Sequence, residues 1–438
     1  MLVAITISAL IGFASLGAET GLWYAIKRQN QSAADAGAIS AAYEIIYDLA
    51  NAITPTSANL TPAASQAATQ NSYTGATAVV TYPYSDAIVT SGVAVTLQTT
   101  QAASLASLFL PSVAIATQAV ARVVVLDNPC ILALNKTASK AIDLAGNPTV
   151  SAPGCSVVAD STSSNAIHFQ GSASMTADTI VTPGNISYTG SAFTVNSTPL
   201  VGSAASYVPD PYASTLTHSA LVASMPTSPT CTKPASTWSG SCKIMGSAIK
   251  TGDTLSANTQ ISGGLSFKNG TINLLPGTYW ITDGDLVLQN GSGATLICPT
   301  CTPGGAGVTI ILTTAQPSGG TVGALTLDSN ANLTLNAPKT GAFAGMVLIQ
   351  DSNGLPPGTT INTPSNAQAG ATETLTGLVY FPKSAITFQG TPSATGPQCL
   401  LLIADTISFQ GNPTLVDSGC TSAGLTNLPT VKTAVLAE

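Results

Sequence analysis

Few residues of this sequence could perform chemistry, and they are widely spaced. The 438 residues include nineteen carboxylates and two histidines, His168 and His218. Asp283 and Asp285 are the closest acidic pair in the β-rich part of the chain, and strand alternation would place both on one face. Polysaccharide cleavage or calcium binding needs acids that are grouped. Because Gly284 separates the two acids, the pair is more typical of a turn, and we predict no catalytic residue, metal or cofactor.

The histidines and one serine-rich motif add little to this inventory. His168 lies between two apolar residues of a predicted strand and should point outward, whereas His218 lies in a Pro/Ser-rich segment with no identifiable partner. Residues 160–164 read Asp-Ser-Thr-Ser-Ser, which resembles the start of the metal-ion-dependent adhesion site of von Willebrand A domains. That site needs a parallel βαβ fold, and the surrounding pattern predicts strands alone, so we expect no metal at Asp160.

Eight cysteines are the residues with the clearest expected chemistry. Neither histidine lies beside a cysteine, so disulfides in an oxidising compartment explain them better than a zinc site. We take pairing in sequence order as a hypothesis, although it is one of 105 connectivities. A CxxC pair can be redox-active, but this one lies among turn residues without a helix start, so we predict a structural clip. The cysteines, in order, are Cys130, Cys155, Cys231, Cys242, Cys298, Cys301, Cys399 and Cys420.

The composition excludes one class of partner and favours a compartment. Only 7% of residues are charged, but 45% are hydrophobic, so most of the chain should fold rather than remain disordered. With twelve basic residues and a net charge of −7, we expect no nucleic-acid partner, because phosphate contacts need clustered Lys and Arg. Scarce charge with abundant Ser, Thr and Asn is typical of exported bacterial surface proteins.

A repeated pentad organises the chain from Cys130 onwards. Its large apolar residues alternate with polar ones and would face inward from a strand, and a terminal Gly or Asn permits a sharp corner. Adjacent copies return after 19 to 25 residues. The copies begin at residues 142, 167, 186, 386 and 407, with variants at 265, 286 and 325.

A strand and a corner that return about every 20 residues are typical of a parallel β-solenoid. We therefore predict a mainly β fold whose largest part is a right-handed parallel β-helix. Residues 274–281 (LLPGTYWI) also resemble a strand, corner and strand of pectate-lyase-like right-handed β-helices. A β-sandwich of hairpins is the alternative, and it would scatter the pentads that a solenoid brings together.

The N-terminal segment predicts a membrane helix. Residues 1–18 carry no charge, and about 20 apolar residues at about 1.5 Å per residue span a bilayer core of about 30 Å. Trp23 and Tyr24, beside Lys27 and Arg28, are typical of a membrane interface. A cleaved signal peptide is the alternative, but no positive charge precedes the apolar run and the helical pattern continues past it.

The helix should continue beyond the membrane, and four regions follow from the patterns. Residues 29–51 contain many Ala and no Pro, which favours an amphipathic stalk. Glu19, an acid within the apolar run, is a candidate for packing between neighbouring helices or for reaching the interface. The predicted regions are a membrane helix and stalk (1–52), a small membrane-proximal α+β module (53–129), a β-helix (130–421) with an excursion at about 197–245, and a tail (422–438).

The N-terminal run also carries a resemblance. An apolar segment, Glu19, the aromatic pair, the basic pair and then Gln-Ser-Ala-Ala-Asp at residues 31–35 resemble the anchor of TadG-like proteins of the tight-adherence (Tad/Flp) pilus assembly system. Two departures are the missing basic residues before the apolar run and Ser32 where Asn is commoner. The resemblance covers roughly residues 2–45.

This resemblance implies a non-enzymatic structural protein that assists pilus assembly or adhesion. It implies a single pass through a bacterial inner membrane with the bulk of the chain in the periplasm, although the cell surface or the pilus is also open. Expected partners are the membrane, other pilus-assembly proteins or copies of the chain itself, and a glycan surface is a further candidate. A surface adhesin or filament subunit is the first alternative function, and a polysaccharide-active β-helix enzyme is the second.

Overall fold

The computed structural model is mainly β, as predicted, and most of its strands pair in parallel. It describes residues 2–51, 53–86, 91–104, 107, 111–190, 194–202, 207–227, 230–289, 293–316, 320–352, 365–367, 372–390, 393–395, 399–412, 414–416, 425 and 428–437. The chain divides into two compact units. Unit 1 comprises Met1–Leu126 with Lys432–Glu438, and unit 2 comprises Asp127–Val431.

Unit 1 combines two helices with a four-stranded sheet, so the stalk and the α+β module predicted separately belong to one unit. The helices are α1 (Leu2–Ala50) and α2 (Ser57–Gln70), and Thr56 caps α2 by accepting a hydrogen bond from the backbone N–H of Asn59. Strands β1 (Val79–Tyr84), β2 (Gly92–Ala102) and β3 (Ser112–Asp127) form antiparallel pairs.

The core of unit 1 explains why the second half of α1 is rich in alanine. Ala34, Ala38 and Ala41 are completely buried against α2 and the sheet. Their small side chains let the helix approach the valines of β2, of which Val93 and Val95 are also fully buried. The predicted tail is not free, because residues 431–436 form the fourth strand of the sheet, next to β3.

The predicted membrane helix corresponds to the beginning of α1. Among the side chains that the structure describes, no helix is both long enough and apolar enough to cross a membrane. The apolar run at residues 2–15 lies outside the described side chains.

Unit 2 consists of three stacks of parallel strands that the chain visits in turn. Stack 1 contains β4 (Pro129–Ala133), β11 (Cys242–Met245), β13 (Thr259–Ser262), β16 (Gly277–Thr282), β19 (Val308–Thr313) and β22 (Met346–Gln350). Stack 2 contains β5 (Ile142–Gly146), β7 (Ile167–Gly171), β9 (Ile186–Thr189), β14 (Leu265–Phe267), β17 (Leu286–Leu288), β20 (Leu325–Leu327) and β23 (Ser365–Ala367).

Stack 3 contains β12 (Thr254–Leu255), β15 (Gly270–Leu274), β18 (Ala294–Ile297), β21 (Asn332–Asn336), β25 (Ser393–Thr395) and β27 (Thr414–Val416). Longer strands turn a corner and contribute to more than one stack. These are β6 (Thr149–Ala159), β8 (Ser174–Thr182), β10 (Thr194–Val201), β24 (Thr372–Gly390) and β26 (Leu400–Gly411).

The pentads of the sequence are the strands of stack 2, aligned residue by residue. Ile142 lies between Ile407 and Ile167, and Gly146 lies between Gly411 and the glycine of β7. Gly146 has a φ of 101°, the left-handed conformation that the corner requires. Every described pairing in this large sheet is parallel, which a sandwich of hairpins would not give.

The order of circuits differs from the order of the chain. The chain enters at β4, in the middle of stack 1, and proceeds through β6 and β8 to one end at β10. It then crosses to the opposite end at β11 and returns circuit by circuit to β26, which pairs with β4. Two halves of the chain therefore form one continuous stack.

The crossing segment corrects the predicted excursion at residues 197–245. Residues up to 201 belong to β10 and residues from 242 belong to β11, so both ends of the predicted excursion are stacked strands. Residues 207–227, which we call the strap, include helix α3 (His218–Ala223). Its apolar side chains Val208, Tyr212 and Leu221 are buried against the outer face of stack 1.

Candidate functional site

The described part of the first half of α1 exposes large apolar side chains. Leu22 and Tyr24 are 57% and 64% exposed, and Lys27 and Arg28 are also exposed. Trp23 is half-buried. The predicted aromatic and basic residues therefore lie within two consecutive turns of α1, and none of them is buried in the core of unit 1.

Glu19 has a role within the chain that the sequence did not indicate. It is only 7% exposed, and its Oε1 accepts a hydrogen bond of 2.6 Å from the backbone N–H of Ser104, just after β2. This contact fixes the first half of α1 to the sheet of unit 1. A contact with Ser104 could not be predicted, because 85 residues separate the two partners.

Three of the four predicted disulfides are present. Cys130 joins Cys155 across neighbouring circuits, and the other two pairs are Cys231–Cys242 and Cys298–Cys301. The CxxC pair closes a turn directly after β18, which agrees with a structural clip. Cys399 is also disulfide-bonded, but Cys420 lies outside the described residues, and the fourth pair stays a prediction.

Asp283 and Asp285 lie at a corner and not on one strand face. Asp283 directly follows β16 and has a φ of 58°. Its Oδ1 accepts a hydrogen bond of 2.6 Å from the hydroxyl of Thr314. Asp285 accepts from the backbone N–H of Ala324 at 2.8 Å. Each carboxylate therefore binds the next circuit of the chain, as turn residues do.

His168 belongs to a row of polar side chains on the outer face of stack 2. Its Nδ1 lies 2.7 Å from Asp143 Oδ1, and its Nε2 lies 2.7 Å from the hydroxyl of Thr189. The three residues come from three successive circuits, β5, β7 and β9. The outward direction of the histidine is as predicted, but the ring is only 7% exposed because these neighbours cover it.

His218 has partners that only the fold brings near. Its Nδ1 lies 2.6 Å from Asp351 Oδ2, and its Nε2 lies 2.9 Å from the carbonyl oxygen of Gln316. The hydroxyl of Thr313 also donates to Asp351 at 2.5 Å. Both ring nitrogens therefore have a partner within unit 2. This buried group fastens the strap to stack 1.

Asp160 is a buried anchor for the strap and does not resemble a metal ligand. It is 2% exposed, and its Oδ1 accepts a hydrogen bond of 2.9 Å from the backbone N–H of Val208. Burial raises the pKa of this carboxyl to about 8, against the opposing effects of the Val208 hydrogen bond and of Lys136. Within the described residues, no group of three or more acidic, histidine or cysteine side chains could hold a metal ion.

A third anchor joins the strap to the circuit of β24. The Tyr380 hydroxyl donates to Asp210 Oδ2 at 2.8 Å, and the Tyr380 ring packs edge-on against Tyr212 at 5.7 Å. Burial raises the pKa of both Asp210 and Tyr380. The anchors lie on the circuits of β22, β24 and β6, so the strap connects several circuits of stack 1.

A groove borders the strap at the corner between stacks 3 and 1. Its volume is about 880 Å³. Trp280 lies at its floor and donates a hydrogen bond of 3.1 Å to the hydroxyl of Ser224, at the end of α3. The groove is the second candidate site; the exposed half of α1 is the first.

Comparison with protein-family models, with curated proteins and with solved structures found no match to this chain.

Proposed function

We propose that this chain is a non-enzymatic, membrane-anchored structural protein that assists pilus assembly or adhesion of the Tad/Flp type. The observation that carries the proposal is the division of α1 into two halves. One face of the second half, with Ala34, Ala38 and Ala41, is buried in the core of unit 1, whereas Leu16, Leu22 and Tyr24 of the first half are 48% to 64% exposed. Together with the apolar residues before them and the TadG-like anchor pattern, this arrangement suits insertion into a membrane.

We further propose that unit 2 is a right-handed parallel β-helix that acts as a rigid surface for docking. Three stacks, one circuit after another, support the solenoid interpretation. Disulfides such as Cys130–Cys155, which joins two circuits, would preserve it in an oxidising periplasm.

The non-enzymatic proposal rests on what the polar side chains already do. Asp283 and Asp285 bind neighbouring circuits, and His218 and Asp160 hold the strap. An acid pair for glycoside cleavage would need two carboxyl groups that flank a substrate. The acids singled out in the sequence are instead committed to contacts within unit 2.

A surface adhesin or filament subunit is the second candidate. The exposed apolar face of α1 favours it, because the same side chains that suit lipid would also pack against helices of neighbouring subunits. Glu19 supports this alternative less, since its carboxylate is bound to Ser104 of its own chain.

Fractionation of cells that express a C-terminally tagged chain separates these proposals. We expect the protein in the inner membrane, digestible by added protease only after the periplasm is opened. Deletion of residues 2–18, the uncharged apolar run, should release it into the soluble fraction, whereas Tyr47→Lys, at an exposed position on the packed half of α1, should not. Recovery with sheared surface filaments would favour the filament subunit, and equal release of both variants would refute anchoring by the first half of α1.

A further inference from the structure

The groove beside the strap is built from one corner of several successive circuits. Ser241, Asn258, Gly277, Gly307 and Lys339 line it, and they precede or begin the stack 1 strands β11, β13, β16, β19 and β22. Neighbouring strands lie about 4.8 Å apart, so five circuits give the groove a length of about 19 Å. The groove therefore runs along the stack and suits an extended ligand.

Backbone contacts between circuits keep the walls of this groove in place. The N–H of Gly277 donates to the carbonyl oxygen of Gly307 at 2.9 Å, and the N–H of Lys339 donates to that of Gly305 at 3.0 Å. A site whose walls are fixed before binding loses little conformational entropy when a ligand arrives. The volume of about 880 Å³ also falls within the range of ligand sites.

The described lining combines apolar surface, including Trp280 and Phe343, with neutral polar groups and a single charged side chain. Ser224, Ser241, Thr278 and Thr340 contribute hydroxyl groups, and Asn258 contributes an amide. Glycines, prolines and alanines make up much of the remaining lining. Neutral hydrogen-bonding groups beside apolar surface match a sugar chain, whose hydroxyl groups form hydrogen bonds and whose C–H faces are apolar.

One lysine determines the expected charge of the ligand. Lys339 is the only charged residue among those described as lining the groove, and its side chain is exposed. Because no acid is among the described lining residues, the ammonium group of Lys339 favours a carboxylate on the ligand. We infer that this groove binds an extended oligosaccharide that carries carboxylate groups, such as a uronic-acid polymer segment.

The position of the groove disfavours an extended peptide. Peptides commonly bind by adding a strand to an open sheet edge. The groove crosses the corners of circuits whose strands β13, β16 and β19 are each paired on both sides. It offers a peptide no strand edge, whereas a sugar needs none. This inference is independent of the membrane anchor and of the pilus proposal.

Titration calorimetry with the full chain tests the inference, with trigalacturonate as the acidic probe and maltotriose as the neutral one. Trigalacturonate should bind, and it should bind more weakly as salt is added. Lys339→Gln should weaken its binding about two- to fivefold, the range for an exposed ion pair. Lys268→Gln removes the same charge from an exposed position outside the groove and should leave binding unchanged.

A steric variant separates the groove from other surfaces. Ala306 is exposed in the lining, so Ala306→Trp should fill the groove and abolish binding without changing the melting temperature. Binding that survives Ala306→Trp would overturn the assignment of the site, and equal effects of the two lysine variants would overturn the role of Lys339. Failure of trigalacturonate to bind the wild-type chain at millimolar concentration would overturn the inference as a whole.

Discussion

Replacing Asp160 by asparagine should make unit 2 more stable near neutral pH. The carboxyl group is 2% exposed and lies beneath the strap, where it accepts a hydrogen bond from the N–H of Val208. Burial raises its pKa from 3.8 to about 8. Asparagine has nearly the same shape and keeps an oxygen that can accept from Val208, but it never ionises.

The sign and size of the effect follow from proton linkage. Between pH 4 and pH 8 the folded chain keeps the Asp160 proton, whereas the unfolded chain has released it. The associated stability is fully present below about pH 4 and is lost as the pH rises towards 8, by at most about 1.4 kcal/mol per pH unit. From pH 4 to pH 7 the ceiling is about 4 kcal/mol, and structural relaxation should reduce the measured loss to about 2 kcal/mol.

Urea unfolding at several pH values, followed by the fluorescence of Trp238 and Trp280, measures this loss in unit 2. A Trp23→Phe background removes the signal from α1. Asp160→Asn should match the parent at pH 4 and exceed its stability at pH 7 and 8. Asp178→Asn is the matched control, because Asp178 is exposed on the same unit. If Asp160→Asn and the parent lose equal stability between pH 4 and pH 8, the reasoning about this buried acid is wrong.

Three further substitutions test the stacks and the strap by the same unfolding measurement. Cys130→Ala should cost about 3.5 kcal/mol, the loop-closure value for the 25 residues between Cys130 and Cys155, and a change under 1 kcal/mol would contradict it. Gly146→Ala would place a methyl group 2.6 Å from the carbonyl oxygen of the glycine in the neighbouring circuit, and should cost about 1–3 kcal/mol; a neutral effect would argue against this register. His218→Ala removes the ring partner of the buried Asp351 and should cost about 3 kcal/mol and speed proteolysis within the strap; an unchanged cleavage rate would contradict the anchor.

The pentads were predictable because they combine two strong local signals. Large apolar residues at alternate positions, such as Ile142 and Leu144, identify a strand with one buried face. The glycine that follows permits a corner that other residues disfavour. Stacking identical corners then aligns Gly146 with Gly171, so a local pattern was sufficient to predict that the pentads lie side by side.

The strap and the order of circuits were not predictable, because they depend on contacts between distant residues. Nothing near His218 in the sequence indicates Asp351, which lies 133 residues away. Proline, serine and threonine in residues 197–245 suggested an excursion from the β-helix, but Val208 and Tyr212 within it are each 1% exposed. A hydrophobic residue in an irregular segment carries no periodicity, so its burial leaves no pattern to read.

The first and last circuits of unit 2 are neighbours, since β26 pairs with β4 and β5. We call this junction the seam, and it forms only when nearly the whole unit has been synthesised. Asn135 and Asp405 are hydrogen-bonded across this seam and are 270 residues apart in sequence. Closing so long a loop costs entropy before the new contacts can stabilise it, which slows folding. Until then, β4 and β5 lack their β26 neighbour on one side. Completion of the stack thus depends on residues at the far end of the unit.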